Sequence, residues 1–214
     1  MTGLLILGCG GHAKVVAETA ISTGLFTSCT FLDDLFLPNY SPQTVLGWSL
    51  IGPLSLSLNA ETLLSYSSAV VAIGNPAIRL HWIHLLQSFG YHLPVLIHPT
   101  AFISPSAHIG PASVVFAQVA VQAEVMIGTG TILNTGCSVD HDSQLSDGVH
   151  ICPGARLAGE VQVGDRSWIG IGASVIQQVC IGADVTVGAG AAVLRNLPDG
   201  VTAVGVPARS IPST

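Results

Sequence analysis

Charge is the scarcest property of this sequence. Asp, Glu, Lys and Arg make up 8% of its 214 residues, and from Leu80 to Ala123 none occurs. Six basic residues face twelve acidic ones, for a net charge of −6, which argues against a nucleic-acid partner or an anionic membrane surface. Low charge and a mean hydropathy of +0.64 raise the question of a membrane. Yet the sequence lacks any unbroken apolar run of about 20 residues; Pro, Ser, Gln, Gly and His interrupt the uncharged stretch. The opening Met1-Thr2-Gly3-Leu4 has no basic leader or small-residue cleavage site. The expectation is a cytoplasmic protein whose apolar surface is hidden in an oligomer. Cysteine is sparse too: five, at 9, 29, 137, 152 and 180, an odd number with no close pairs. That pattern is neither a disulfide framework nor a zinc ribbon.

What the sequence does have is a period. From Ile97, every sixth residue is aliphatic through Val193, seventeen in succession without an insertion. Four residues after each comes a second, mostly small residue: Ala101, Ala107, Ser113, Val119, Val125, Thr131, Cys137 and onward to Ala191. A helix repeats near 3.6 residues and a simple strand at two. A six-residue period with two inward positions fits a short strand followed by a corner, the signature of a hexapeptide β-helix. Three hexads make a triangular coil of eighteen residues, so residues eighteen apart stack, with coils about 4.8 Å apart.

Ahead of the repeats, Leu4-Leu5-Ile6-Leu7 suits a strand buried on both faces. Gly8-Cys9-Gly10-Gly11-His12 follows, then a predicted helix from Ala13 to about Thr23. Strand, glycine turn and helix in that order resemble the first unit of a Rossmann-like domain, in which glycines and a helix N-terminus meet a phosphate. The glycines of that turn are the candidates for that contact; the partial Gly-x-Gly-x-x-Ala pattern equally describes a tight turn without a ligand. A second strand, Cys29 to Leu32, ends at Asp33-Asp34, about 20 residues past the glycine loop, where an acidic residue usually meets a ribose hydroxyl; two adjacent carboxylates equally suit the capping of a loop in solvent. Residues 35–60 read as loop with one short helix, Ala69–Ile73 as a strand, and Ala77–Phe89 as a helix ended by Gly90. His81 and His84 share a helix face without a carboxylate or Cys and read as surface or packing residues. Three βα units in so few residues match a mononucleotide-sized ligand. The domains are therefore 1–92, Rossmann-like, and 93–214, the parallel β-helix.

The coil's corners carry the chemistry. Third hexad positions are mostly Pro, Ala, Thr, Asp or Gly, but one is His141, between Asp140 and Asp142. Gly159 stacks one coil above it. A histidine titrating near neutrality beside a glycine with an exposed N–H supplies the base and the oxyanion donor of acyl transfer; an exposed corner histidine in a charged turn is the plainer alternative. Corner residues Ile171 and Ala189 also stack and line a groove parallel to the coil axis. His150 is an outward strand residue, expected to be exposed, on a face shared with Val114, Ile132 and Trp168. An exposed apolar stripe there suits a subunit interface, or a ligand channel at Trp168.

The hexads, the Asn134-to-Asp142 segment and the Gly205-Val206-Pro207-Ala208-Arg209 loop together resemble the hexapeptide-repeat acyltransferases. More narrowly, the chain is similar to the nucleotide-sugar N-acetyltransferases acting on UDP-4-amino-sugars, and to their relatives for GDP-perosamine and sialic acid. Gly8 to His12, Asp33-Asp34 and Ile73-Gly74-Asn75 followed by Arg79 match the small N-terminal domain of that family. The resemblance implies a left-handed coil, a homotrimer with active sites at subunit interfaces, acetyl-CoA as co-substrate between neighbouring prisms, and no metal. It implies His141 as catalytic base with Asp142 beside it, where close relatives carry Glu. It further implies that His150, Gly159, Ile171 and Ala189 contact acetyl-CoA, and that Gly10, Gly11, His12, Asp33 and Asp34 contact the nucleotide sugar. Either Asp142 or Asp140 orients the imidazole.

The expected reaction is acetyl transfer to the amine of a nucleotide-linked amino-sugar in bacterial glycan synthesis. O-acetylation of sialic acid or another sugar hydroxyl would use the same residues. Zinc-dependent carbonic anhydrase chemistry needs three converging histidines, and only His141 and His150 are placed for it. A non-catalytic nucleotide-sugar-binding solenoid would leave Asp-His-Asp at a bland corner unexplained.

Overall fold

Apolar runs flanked by glycine turns dictate the first unit. In the computed structural model, which describes residues 3–36 and 44–211, its elements are β1 (Gly3–Leu7), α1 (Gly11–Ser22), β2 (Ser28–Leu32), β3 (Thr44–Val45), β4 (Trp48–Gly52), α2 (Ala60–Ser65), β5 (Ser68–Val71) and α3 (Pro76–Phe89). The sheet order is β3-β4-β2-β1-β5. β1 pairs in parallel with β2 and β5, and β2 with β4, while β3 and β4 form an antiparallel hairpin. Flanked by β2 and β5, β1 is buried throughout Leu4–Leu7. The chain leaves β1 towards β2 and later returns to its other side as β5. That reversal opens a crevice at the carboxyl ends of β1 and β5, where open α/β sheets bind ligands.

Residues 35–60 hold more structure than the predicted loop. Leu46 and Gly47 both take positive φ, 51° and 83°, the two-residue turn that a tight hairpin requires. They join β3 to β4, which becomes a fourth parallel strand. Alternating burial along Trp48–Gly52 spans too few residues to stand out as a period. Residues 37–43 of that predicted loop lie outside the described residues. α3 begins where Asn75 Oδ1 accepts the Ile78 N–H at 3.1 Å, with Pro76 in the first turn. It ends at Gly90, φ 104°.

The hexads behave as their period demands. Each of the seventeen aliphatic positions closes a two-residue strand, from Leu96–Ile97 to Ala192–Val193. Within the second unit, His98–Thr214, strands eighteen residues apart pair in parallel: Ala120 with Ser138, Gln144 with Gln162, Ile132 with His150 and His150 with Trp168. Three sheets result, one per prism face. Val121, Val139, Ile151, Ile169 and Val187 are fully buried, each such side chain contributing about 1.5–3 kcal/mol through loss of apolar surface to water.

The second inward position includes hydroxyls, and each has partners. Ser143 Oγ donates to Ala158 O at 3.2 Å and accepts the Val161 N–H at 3.1 Å; Ser167 bridges Gly182 O and the Val185 N–H in the same way. A hairpin, Thr202–Val204 with Arg209–Ile211, ends the unit; the Val206–Pro207 peptide in it is cis. Among the described residues no helix is long and apolar enough to cross a membrane.

Stability should follow the inward stack. Ile169→Ala, at a fully buried position, is expected to lower unfolding free energy by about 2–5 kcal/mol in guanidinium titrations. Ile176→Ala, at a 39% exposed position, should change it by about 0.5 kcal/mol or less.

Candidate active site

The corner at His141 is built by backbone geometry before any side chain is considered. In each hexad the fourth residue is left-handed: from Ala112 to Gly190, every sixth residue has φ between 54° and 69°. Six of these are glycine; Asp142, φ 59°, is one of those that are not. Aspartate tolerates this region better than most residues because its short side chain bonds locally. Here Asp142 Oδ2 accepts from His141 Nδ1 at 2.8 Å. Of the two carboxylates flanking the histidine, the structure therefore pairs Asp142 with the imidazole.

Both partners are open to solvent, with 60% and 57% of their side chains exposed. The hydrogen bond to Asp142 raises the His141 pKa above its ordinary 6.5, and Asp142, Asp140 and Glu160 add to this through their charges. With Nδ1–H held by Asp142, the neutral imidazole presents a lone pair at Nε2.

Gly159 stacks against this ring as expected. A Cβ placed on it would lie 2.6 Å from both Cε1 and Nε2 of His141, so only glycine leaves room for the imidazole over that corner. The next residue ties the coils together, Glu160 N–H donating to His141 O at 2.8 Å. The main-chain ladder uses N–H groups of the second, fourth and sixth hexad positions, as at Asp140, Asp142 and Gln144. Third-position N–H groups are left over. At another corner Thr129 N–H is taken by Asp147 Oδ1, and Asp147 N–H by Asp165 Oδ1. The Gly159 N–H donates to no acceptor among the described residues; the residue is buried, with the His141 ring packed against it.

A second feature lies on a different face. Asn134, His150, Trp168, Ile171, Thr186 and Ala189 line a groove of about 450 Å³. His150 is not exposed as expected but 7% accessible. The reason is its neighbour on the rung: the Trp168 ring sits 4.1 Å away, centroid to centroid, while Asn134 Nδ2 approaches His150 Nε2 at 3.3 Å. Val114 and Ile132, expected in an exposed stripe, are also buried, leaving Trp168 as its exposed member. The sequence reading stepped in eighteens and so passed over Asn134, sixteen residues before His150. Gly190 N–H bonds Ile171 O at 2.8 Å, confirming the stack of that corner. Strand pairing puts the His141 corner and the Ile171 corner at different edges of the prism, so one chain does not bring the two groups together.

In the small unit, the loop after β1 and the turn after β5 meet edge to edge. Gly8 has φ 107°, and a Cβ there would lie 2.7 Å from Ala72 O. The steric demand for glycine thus falls on Gly8, which the sequence reading left without a role. Around Gly10 and Gly11 a Cβ would meet nothing within 4 Å, the open approach that a ligand needs. Gly10 caps α1 without a side-chain bond, leaving first-turn N–H groups for an anion.

Asp33 accepts Cys9 N–H through Oδ2 and Leu35 N–H through Oδ1, both at 2.8 Å, and Asp34 accepts Leu54 N–H at 2.9 Å. Both acids therefore shape the loops around the crevice. Burial, then the Asp33 bond and charge, push the Cys9 thiol up to about 11. His12 is pushed down to about 4, by burial first and then by the Arg79 charge, and is neutral at physiological pH. Among the described residues no group of three His, Cys, Asp or Glu could hold a metal ion; His81 and His84 are both exposed.

Residues 3–86 match the family model described as the PglD N-terminal domain. The acetyltransferase domain of PglB from Neisseria gonorrhoeae FA1090 is 42% identical, with 99% of this chain and 100% of that one covered at a TM-score of 0.93. A second structure of that domain is a complex with acetyl coenzyme A. PerB from Caulobacter crescentus, in complex with CoA and GDP-perosamine, is 40% identical over 99% of this chain and 98% of that one, TM-score 0.91. WeeI from Acinetobacter baumannii AYE is 25% identical over 99% and 100%, TM-score 0.85. No match was found among curated proteins. With both units aligned end to end at this identity, the chain belongs to the hexapeptide-repeat nucleotide-sugar N-acetyltransferases, and its coil is their left-handed parallel β-helix.

Proposed function

We propose that this protein transfers the acetyl group of acetyl-CoA to the amine of a nucleotide-linked amino-sugar, with His141 as general base. The observation that carries the reading is the His141–Asp142 pair with its imidazole packed against Gly159, whose N–H no described residue accepts. The amine nitrogen attacks the thioester carbonyl, His141 Nε2 takes its proton, and the carbonyl oxygen gathers charge against the Gly159 N–H. Collapse of the tetrahedral intermediate breaks the C–S bond, and the proton held on His141 Nε2 passes to the leaving sulfur, so that CoA departs as its thiol and the base is regenerated. Asp142 holds the tautomer that leaves Nε2 free.

The relatives supply the ligand classes: acetyl coenzyme A with the gonococcal domain, CoA and GDP-perosamine with PerB. Residues 1–92 would hold the nucleotide sugar, through Gly10, Gly11 and His12 with Asp33 and Asp34 shaping the loops, and 93–214 the acyl donor. The groove of His150, Trp168, Ile171 and Ala189 lies at a prism edge away from His141. A CoA site using both therefore needs a second prism alongside, and a homotrimer provides one. Acetyl-CoA and nucleotide sugars meet in the cytoplasm, where the protein would act.

His141→Ala should lower kcat by about 10²–10⁴-fold with acetyl-CoA still bound, read by thiol release over UDP-, GDP- and CMP-linked amino-sugars; a rate near wild type sinks the assignment. Gly159→Ala, which drives a methyl into the imidazole, should cost about a hundredfold in kcat with the fold intact by circular dichroism. The base works unprotonated, and Asp142 raises its pKa. The acid limb of kcat/KM therefore lies above pH 6.5 in the wild type. In Asp142→Asn that limb should move to lower pH while the plateau rate drops.

A further inference from the structure

The first unit carries two cations in all, Lys14 and Arg79. Lys14 is exposed, one turn into α1, and lines a cavity of about 500 Å³ with Cys9, Leu35 and Thr44. Arg79 is the opposite case: it is 1% exposed and ranks first among the largest fully buried side chains. Its Nη1 donates to Ile73 O at 2.9 Å and to Gly74 O at 2.8 Å. Those carbonyls belong to the turn after β5, and the preceding Ala72 O stands where a Gly8 side chain would begin. Arg79 therefore pins a turn that is itself in backbone contact with the glycine loop. Its charge also reaches that loop, because it contributes to the depressed pKa of His12.

Taking a guanidinium out of water is costly, enough here to lower its pKa to about 10. Two carbonyls could be satisfied by a neutral amide. What an amide would not supply is a full positive charge beside the turn after β5, near enough to His12 to depress its pKa, in a medium that salt screens poorly.

We infer that Arg79 is a positioning residue for the diphosphate of the nucleotide sugar, fixing the 73–75 turn against the Gly8–His12 loop and holding a buried positive charge behind it. This rests on the nucleotide-sugar reading of the small unit. It goes beyond that reading by assigning the attraction for the diphosphate to a residue below the surface of the site. Backbone N–H groups give the short-range contacts, and Arg79 supplies the field.

The test compares Arg79→Gln, which keeps a donor and removes the charge, with Arg79→Lys, which keeps the charge. Both are made in the full chain, with UDP, GDP, uridine and guanosine titrated by calorimetry and acetyl-CoA binding as a control. Arg79→Gln should weaken binding of the nucleoside diphosphate by about tenfold or more, a loss of one charge interaction, and leave the nucleoside within about twofold. Arg79→Lys should stay within about threefold of wild type for both. Equal losses for diphosphate and nucleoside, or no loss in the Gln variant, overturn the inference. Should the Gln variant unfold by circular dichroism, the Lys variant decides: retained diphosphate affinity supports the role, and a loss shared with the nucleoside overturns it. Wild-type protein that binds neither UDP nor GDP would instead overturn the nucleotide-sugar reading, and this inference with it.

Discussion

Eighteen residues per coil is the constraint on which the acyl-transfer corner depends. Each coil must return an aliphatic residue to the same inward point three times, and the parallel ladder then holds its strands in register with the coil below. One inserted residue would turn every later side chain from inside to outside. The uninterrupted run from Ile97 to Val193 is the trace of that penalty. The same register leaves the third-position N–H of each hexad outside the ladder, so the prism presents a column of outward donors at each edge. Where aspartates stack, as at Asp147 and Asp165, the column is consumed internally. Where Gly159 stacks above His141, no described residue accepts its N–H and the missing Cβ admits a ring.

Asp142 stands at a left-handed fourth position, which Glu124 and Glu160 also occupy, and its carboxylate turns to the histidine beside it. A residue at φ near 60° costs about 1–2 kcal/mol unless it is glycine or can bond locally. Asp142 does bond locally, to Nδ1 of its neighbour, so the strain of the turn and the orientation of the base have one solution. Asp140, two residues earlier, stands at a ladder position, its N–H bonded to Leu157 O, and acts on the imidazole through charge alone.

Much of this was legible in the sequence because periodicity is a property of the chain itself. The coil, the His141–Gly159 stack and the Ile171–Ala189 stack all follow from counting. The choice between Asp140 and Asp142 was not legible, because it turns on a left-handed φ that six of fourteen fourth positions mark with glycine; reading that column would have exposed it. The burial of His150 escaped because it depends on the size of a neighbour, Trp168, rather than on the period. β4 escaped because its five residues are too few for alternation to stand out. Gly8 and Arg79 escaped for a common reason: their roles come from the pairing of β1 with β5, a contact between segments some 60 residues apart that no local pattern announces.

A protein of net charge −6 in a family that handles a nucleoside diphosphate sugar and a coenzyme, both anionic, must attract negative ligands without a basic surface. Long-range steering by Lys and Arg is not available to it in quantity. Of the four cations in the coil, Arg166 is already engaged, donating through Nε and Nη2 to Asp184 at 2.7 and 2.6 Å. The main chain adds donors of its own: the helix N-terminus at Gly10, which has no side-chain cap bond, and the free space over Gly10 and Gly11. Such dipoles are fixed by the fold, reach only a few ångströms and discriminate by shape as well as charge. Scarcity of charge and abundance of glycine, 24 residues of it, are then one design.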